Sequence, residues 1–154
     1  MKYTKIIPSY LKGKVIVPPS KSISHRMIIC AGLCNGESII RNISYSNDIM
    51  STIKGIETLG AKIKYLNHPI NKKANDISII GRFPPKSLER PVINCGESAS
   101  TLRFLIPLSL LTCEEITFTG TGRLHQRPLN IYFDIFDKLN IKYSTPVKTS
   151  SNLP

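Results

Sequence analysis

The order of apolar runs predicts an α+β fold built from a repeated βαβαββ unit. Three observations carry that expectation. Short apolar runs of strand character alternate with longer segments of helical spacing. Two hydroxyl-rich turns, Ser20-Lys21-Ser22-Ile23-Ser24-His25-Arg26 and Ser98-Ala99-Ser100-Thr101-Leu102-Arg103, each stand between such a run and a helix. The elements around the first turn then recur in the same order around the second.

Residues 1–13 are a short lead with Ile6-Ile7-Pro8 and a turn at Lys12-Gly13. A strand is expected at 14–17. A helix opens after Ser20 and is apolar nearly all round (Ile23, Met27, Ile28, Ile29, Ala31, Leu33), which predicts burial on most sides. Asn35-Gly36 supplies its C-terminal cap. Residues 38–43 read as a strand. Asp48 fits the N-cap of a helix over 49–59, where Ile49, Ile53, Ile56 and Leu59 fall near one face and Gly60 stops the run. Strands follow at 61–66 and 76–80, joined by the polar loop 67–75. The stretch 14–81 is thus one βαβαββ unit, and 81–90, with Pro84-Pro85, is a linker.

The second copy begins with a strand at 92–95 and the turn at 96–103. A very apolar helix over 104–111 contains Pro107, which should kink it or disturb its first turns. A strand at 115–119 leads to a loop at 120–127. Pro128 suits the first position of a helix whose buried face carries Leu129, Tyr132, Phe133, Phe136 and Leu139, and a strand is expected at 141–143. Ser22 and Arg26 correspond to Ala99 and Arg103, and Leu59-Gly60-Ala61-Lys62 to Leu139-Asn140-Ile141-Lys142. The expected organisation is a lead at 1–13, a first unit at 14–90, and a second at 91–154 that stops before its last strand. It reads as a fragment of a larger protein, with a fraying tail as the competing account.

The 154 residues, 41% of them hydrophobic, suit a globular chain with a real core. No apolar run approaches the roughly 20 residues of a membrane span, and Met1-Lys2-Tyr3-Thr4-Lys5 lacks a signal-peptide core. No membrane partner and a cytoplasmic location are therefore expected. The net charge of +11, from 21 Lys and Arg against 10 Asp and Glu, calls for anionic partners. The basic residues are dispersed, with Lys72-Lys73 the one adjacent pair, and there is no Trp. That weighs against nucleic acid and toward small phosphorylated or carboxylated molecules. Cys30 and Cys34 are a helical turn apart, but neither Cys95 nor Cys113 has a nearby second ligand. Small buried residues in a reducing compartment are expected, and no metal site.

Chemistry concentrates in the first turn. A helix N-terminus carries unpaired N–H groups and a positive dipole end, so it favours anions. Lys21 and Arg26 add charge at the same place. The plainer alternative is that Ser20 caps the helix and both cations are solvated.

The stretch Pro19-Ser20-Lys21-Ser22-Ile23-Ser24-His25-Arg26 resembles the P-G-S-K-S-x-S-x-R signature of the 3-phosphoshikimate 1-carboxyvinyltransferase (EPSP synthase) family. Cys95-Gly96-Glu97-Ser98-Ala99-Ser100-Thr101-Leu102-Arg103 is similar to the family's second glycine-rich motif, and residues 120–129 to its G-x-x-x-x-x-x-R-P loop. The resemblance runs from about residue 14 to 145. It implies βαβαββ units with helices inside and sheets outside, in two domains of three units each. This chain would hold two units of the N-terminal domain, and the lead 1–13 would lie with the C-terminal one. It implies transfer of the enolpyruvyl group of phosphoenolpyruvate to the 5-hydroxyl of shikimate 3-phosphate, releasing phosphate. Addition then elimination passes through a tetrahedral intermediate, without metal or organic cofactor. Carried over by position, Lys21 would contact both substrates, and Ser22 and Arg26 would bind shikimate 3-phosphate. Ala99 would line the phosphoenolpyruvate pocket and Arg127 would pair with that substrate's charges. Ser100, Arg103 and Arg123 would border the same cleft. The competing account of each arginine is a surface salt bridge.

Ala99 departs from the family, which usually has glycine there, so bulkier analogues such as glyphosate are expected to bind poorly. A sister family, transferring enolpyruvate to UDP-N-acetylglucosamine, usually carries a reactive cysteine where this chain has Gly122. RNA 3′-phosphate cyclase shares the fold class but not the motifs. A non-catalytic basic module binding nucleic acid is the rival of another kind. The general acid and base groups, and the remaining shikimate-phosphate contacts, would lie largely outside this chain, so it should not turn over alone and should bind shikimate 3-phosphate weakly at best. Surfaces left uncovered should make it self-associate or leave its second unit partly disordered.

Overall fold

Three helix starts, each capped by a serine hydroxyl, organise the structure. The computed structural model describes residues 3–67, 75–86, 90–112 and 115–145. Ser20 Oγ accepts the Ile23 amide at 3.4 Å and opens α1, Lys21–Leu33. Ser46 Oγ accepts the Ile49 amide at 3.4 Å and opens α2, Asn47–Thr58. Ser98 Oγ accepts the Thr101 amide at 3.1 Å and opens α3, Ala99–Ser109. The cap of α2 is thus Ser46 rather than Asp48, which sits in the first turn. A fourth helix, α4, spans Asn130–Lys138 with no side-chain cap. Pro128 lies two residues ahead of it and not at its first position.

The strands are β1 (Gly36–Ile40), β2 (Lys62–Asn67), β3 (Asn75–Gly81), β4 (Val92–Asn94) and β5 (Thr117–Thr119). The first three form an antiparallel sheet in the order β1-β3-β2, with Ile40 opposite Ile77 and Ile63 opposite Ile79. β1 stops short of the expected residue 43 because Asn42 turns the chain at φ 57°. β4 and β5 pair in parallel across α3, with Val92 opposite Thr117. The fold is mixed α+β, as expected.

α2 is the hub. It packs on α1, on α3 and on β4, and its Ile49, Ile53 and Ile56 join Ile28, Ile77, Ile79, Ile93 and Leu105 in one core. Gly55 allows the close approach to α3. A Cβ there would run into the Leu105 side chain and lie 3.4 Å from Ile93 Cγ2.

Several expectations do not hold. Residues 14–17 form no strand: Val15, Ile16 and Val17 are 84%, 88% and 76% exposed, with no strand among the described residues to pair with. Residues 141–143 are likewise irregular, although Tyr143 stacks on Phe133 with centroids 5.0 Å apart. α1 is buried on one face only, through Ser24, His25, Ile28, Ile29, Ala31 and Gly32; Ile23 and Met27 are exposed. Cys30 and Cys34 are exposed too, against the expectation of burial, whereas Cys95 is buried. No residue of α4 is fully buried, and Leu139 faces out at 63% exposure. Most of the loop expected at 67–75, part of the linker, Cys113 and the tail from 146 lie outside the described residues.

Candidate functional site

The first two residues of α1, Lys21 and Ser22, have amides with no intrahelical acceptor, at the positive end of the helix. Lys21 Nζ lies 2.7 Å from Asp48 Oδ2 in the first turn of α2. That pair consumes one of three ammonium donors, and the Lys21 side chain remains 58% exposed. One turn on, Arg26 Nη1 donates to Ser22 O at 3.0 Å and also to Ser22 Oγ. Its guanidinium carbon sits 5.3 Å from the centre of the Phe104 ring, a cation–π contact that rests the α1 arginine on α3. Sequence order placed Ser22 and Arg26 on one helix face. It carried no signal for Asp48 or Phe104 as their supports.

The start of α3 is built from the turn at 96–98. Ala99 is its first residue and half-buried, Ser100 is exposed, and Arg103 is half-buried. Arg103 Nη2 donates to Pro128 O at 3.1 Å. Pro107 lies inside α3, which begins five residues earlier than expected and runs through the proline. Pro107 has no N–H to give the Arg103 carbonyl four residues back. That carbonyl accepts the Tyr132 hydroxyl of α4 at 2.8 Å instead.

The loop 120–127 is stitched to the same turn. Cys95 N donates to Thr119 O and Thr121 N to Gly96 O, each at 2.8 Å. A 3-10 turn over Leu124–Gln126 then carries the chain past Arg123 and Arg127, both exposed. Among the described residues neither guanidinium has a hydrogen-bond or ion-pair partner. Gly122 has φ +59°, and a Cβ there would collide with the Glu97 carboxylate. Glu97 could swing aside, but the left-handed backbone would still strain a cysteine at this position.

The structure therefore gathers Lys21, Ser22 and Arg26 at the start of α1 with Asp48 in the first turn of α2. The start of α3, with Ala99, Ser100 and Arg103, is tied to the loop of Arg123 and Arg127 through the turn at Gly96 and through Pro128, and Arg26 on Phe104 bridges the two groups. Beneath them runs a buried polar line that sequence reading missed. His25 Nδ1 is 2.7 Å from Thr52 Oγ1, Thr52 Oγ1 is 2.7 Å from Thr101 Oγ1, and Thr101 Oγ1 is 2.7 Å from Ser98 Oγ. Burial lowers the proton affinity of His25; nearby Asp48 opposes that, and Lys21 and Arg26 reinforce it. Among the described residues no three His, Cys, Asp or Glu side chains converge as metal ligands. No helix there is long and apolar enough to cross a membrane. Chemically, two serine-capped helix starts with fixed cations suit ligands carrying more than one negative charge.

A sequence model of the family described as EPSP synthase (3-phosphoshikimate 1-carboxyvinyltransferase) matches residues 6–150. The 3-phosphoshikimate 1-carboxyvinyltransferase of Clostridium novyi (strain NT) is 47% identical over 154 residues, covering 99% of this chain and 34% of that protein. The protein of the same description from Clostridium acetobutylicum is 47% identical over 146 residues, covering 95% and 33%. Among solved structures, an EPSP synthase of Acinetobacter baumannii superposes with a TM-score of 0.72 at 20% identity, over 88% of this chain and 29% of that one. The chain thus spans about a third of the length of the curated relatives it matches.

Proposed function

Because this chain belongs to the EPSP synthase (3-phosphoshikimate 1-carboxyvinyltransferase) family, we propose that its two cationic helix starts bind the substrates of that enzyme. Lys21, Ser22 and Arg26 take shikimate 3-phosphate. Lys21, Ala99 and Arg127 take phosphoenolpyruvate, with Ser100, Arg103 and Arg123 bordering the cleft. The transfer of enolpyruvate to the 5-hydroxyl, with release of phosphate, is proposed for a protein of the relatives' full length. The proposed organisation is a lead at 1–13 and two units at 14–90 and 91–154.

The observation that carries this reading is the common seat of the two starts. α1 and α3 pack on the same helix, α2, and each presents a serine-capped turn with an arginine one turn further in. The geometry suggests how each group works. Lys21 holds two spare donors beside open amides. Arg26 is tethered by Ser22 and Phe104, so it would lose less rotamer freedom on meeting a phosphate than an untethered arginine. Both substrates are polyanions, which suits a chain of net charge +11.

The test is titration of the 154-residue chain with shikimate 3-phosphate, followed by amide NMR shifts. Residues 20–26 should respond. Lys21→Ala and Arg26→Ala should each weaken binding about tenfold, the scale of one charge-assisted hydrogen bond. Equal shifts with inorganic sulfate would count against the reading. The chain by itself is expected to release no phosphate from phosphoenolpyruvate.

A further inference from the structure

Cys30 and Cys34 are free thiols, and both are exposed at the far end of α1 from Lys21. Met27, 50% exposed, stands three residues before Cys30 and seven before Cys34. At 3.6 residues per turn these spacings set the three within about 60° of one another on one helical face. Cβ atoms one turn apart lie about 5–6 Å from each other. Two short thiol side chains at that separation can swing to opposite sides of a single ion. The Met27 thioether, longer and flexible, reaches the same place from the preceding turn.

Two features of this end of the helix point to a cation, and to its kind. Cys34 is the C-cap, and the last turn of α1 carries no basic residue. No cationic side chain of the helix therefore answers the negative end of its dipole. The donors are all sulfur, and soft thiolate and thioether ligands select Cu(I) over hard cations. Zinc takes four ligands, and among the described residues no third His, Cys, Asp or Glu joins the pair. Cu(I) is satisfied by two or three sulfurs.

We propose that Met27, Cys30 and Cys34 form a binding site for a soft monovalent cation, Cu(I). Both thiols give up their protons as the ion binds, so one positive charge arrives and two protons leave. The ion is Cu(I) before and after, and no electron moves. The site lies about 14–20 Å along α1 from Lys21, so it stands apart from the function proposed above and does not rest on it.

The test titrates Cu(I) anaerobically into the 154-residue chain, against the chromophoric chelator bathocuproine disulfonate. One ion should bind per chain. Cys30→Ser and Cys34→Ser should each lose at least about 100-fold in affinity, because groups merely outside a metal's coordination shell already cost about 10–100-fold. Met27→Leu should lose about tenfold. Cys95→Ala, at a buried position, and Cys113→Ser should bind as the unaltered chain does. An affinity unchanged in either exposed-cysteine variant, or in Met27→Leu, overturns the proposal. So does a loss in Cys113→Ser, or half an ion per chain, which would mean a bridge between two copies. Circular dichroism of each variant separates a folding defect from the loss of a ligand. Should a variant fail to fold, X-ray absorption of the unaltered chain decides. It should show copper bound by sulfur alone, and nitrogen or oxygen in the coordination shell would overturn the site.

Discussion

Cys95 and Ala99 stand at the two sides of one turn, and each carries a separate prediction. Cys95 is fully buried at the end of β4, and burial pushes its thiol from 9.0 up to about 11. A thiol that ionises later in the folded state leaves the unfolded chain with fewer protons above its own pKa, so stability falls as pH rises from about 9 to about 11. Urea midpoints should drop over that interval, and drop less in Cys95→Ala. Ala99 places a methyl group at the first residue of α3, where the resemblance leads one to expect glycine. In a protein of the relatives' full length carrying this segment, Ala99→Gly should strengthen inhibition by glyphosate; an unchanged inhibition constant would count against a pocket narrowed here. At this scale the sequence disclosed what lies within one turn. Ser22 and Arg26 are four residues apart and meet as helical spacing requires. Asp48 and Thr52 are each 27 residues from their α1 partners, and Thr101 is 49 from Thr52. Only packing creates those contacts.

Helices were the legible elements, because their caps and periodicity are local. α2 kept its apolar face, and Ser98 moved the start of α3 to just after the cap. Strands were legible only where a partner exists. The runs at 14–17 and 141–143 have strand character but pair with no strand among the described residues, and they remain irregular. Pro107 shows propensity and tertiary structure acting together. Its missing donor leaves the Arg103 carbonyl to Tyr132, so the proline becomes the point where α4 docks. Tyr132→Phe should cost about 1 kcal/mol by urea unfolding, the usual worth of one such bond. In a Pro107→Ala background the cost should shrink, since residue 107 then has an N–H for the same carbonyl.

Across the whole molecule, apolar side chains lie open in several places. Ile23 and Met27 line the outer face of α1, and Ile131, Ile135 and Leu139 that of α4. Surface of this kind in a chain of net charge +11 sets attraction against repulsion. Light scattering should find a mass that grows with concentration, and grows more at high salt, where repulsion is screened. A constant monomer mass under both conditions would refute this. The pair of Lys21 with Asp48 has a different consequence at this scale. A carboxylate already holds one donor of the lysine and offsets part of its charge, so a ligand at the proposed site would share the ammonium with it. A singly charged visitor offers the ammonium little that Asp48 does not. A phosphate dianion offers more. Under the proposed function the resident carboxylate would set a threshold, favouring ligands of higher charge before shape is consulted.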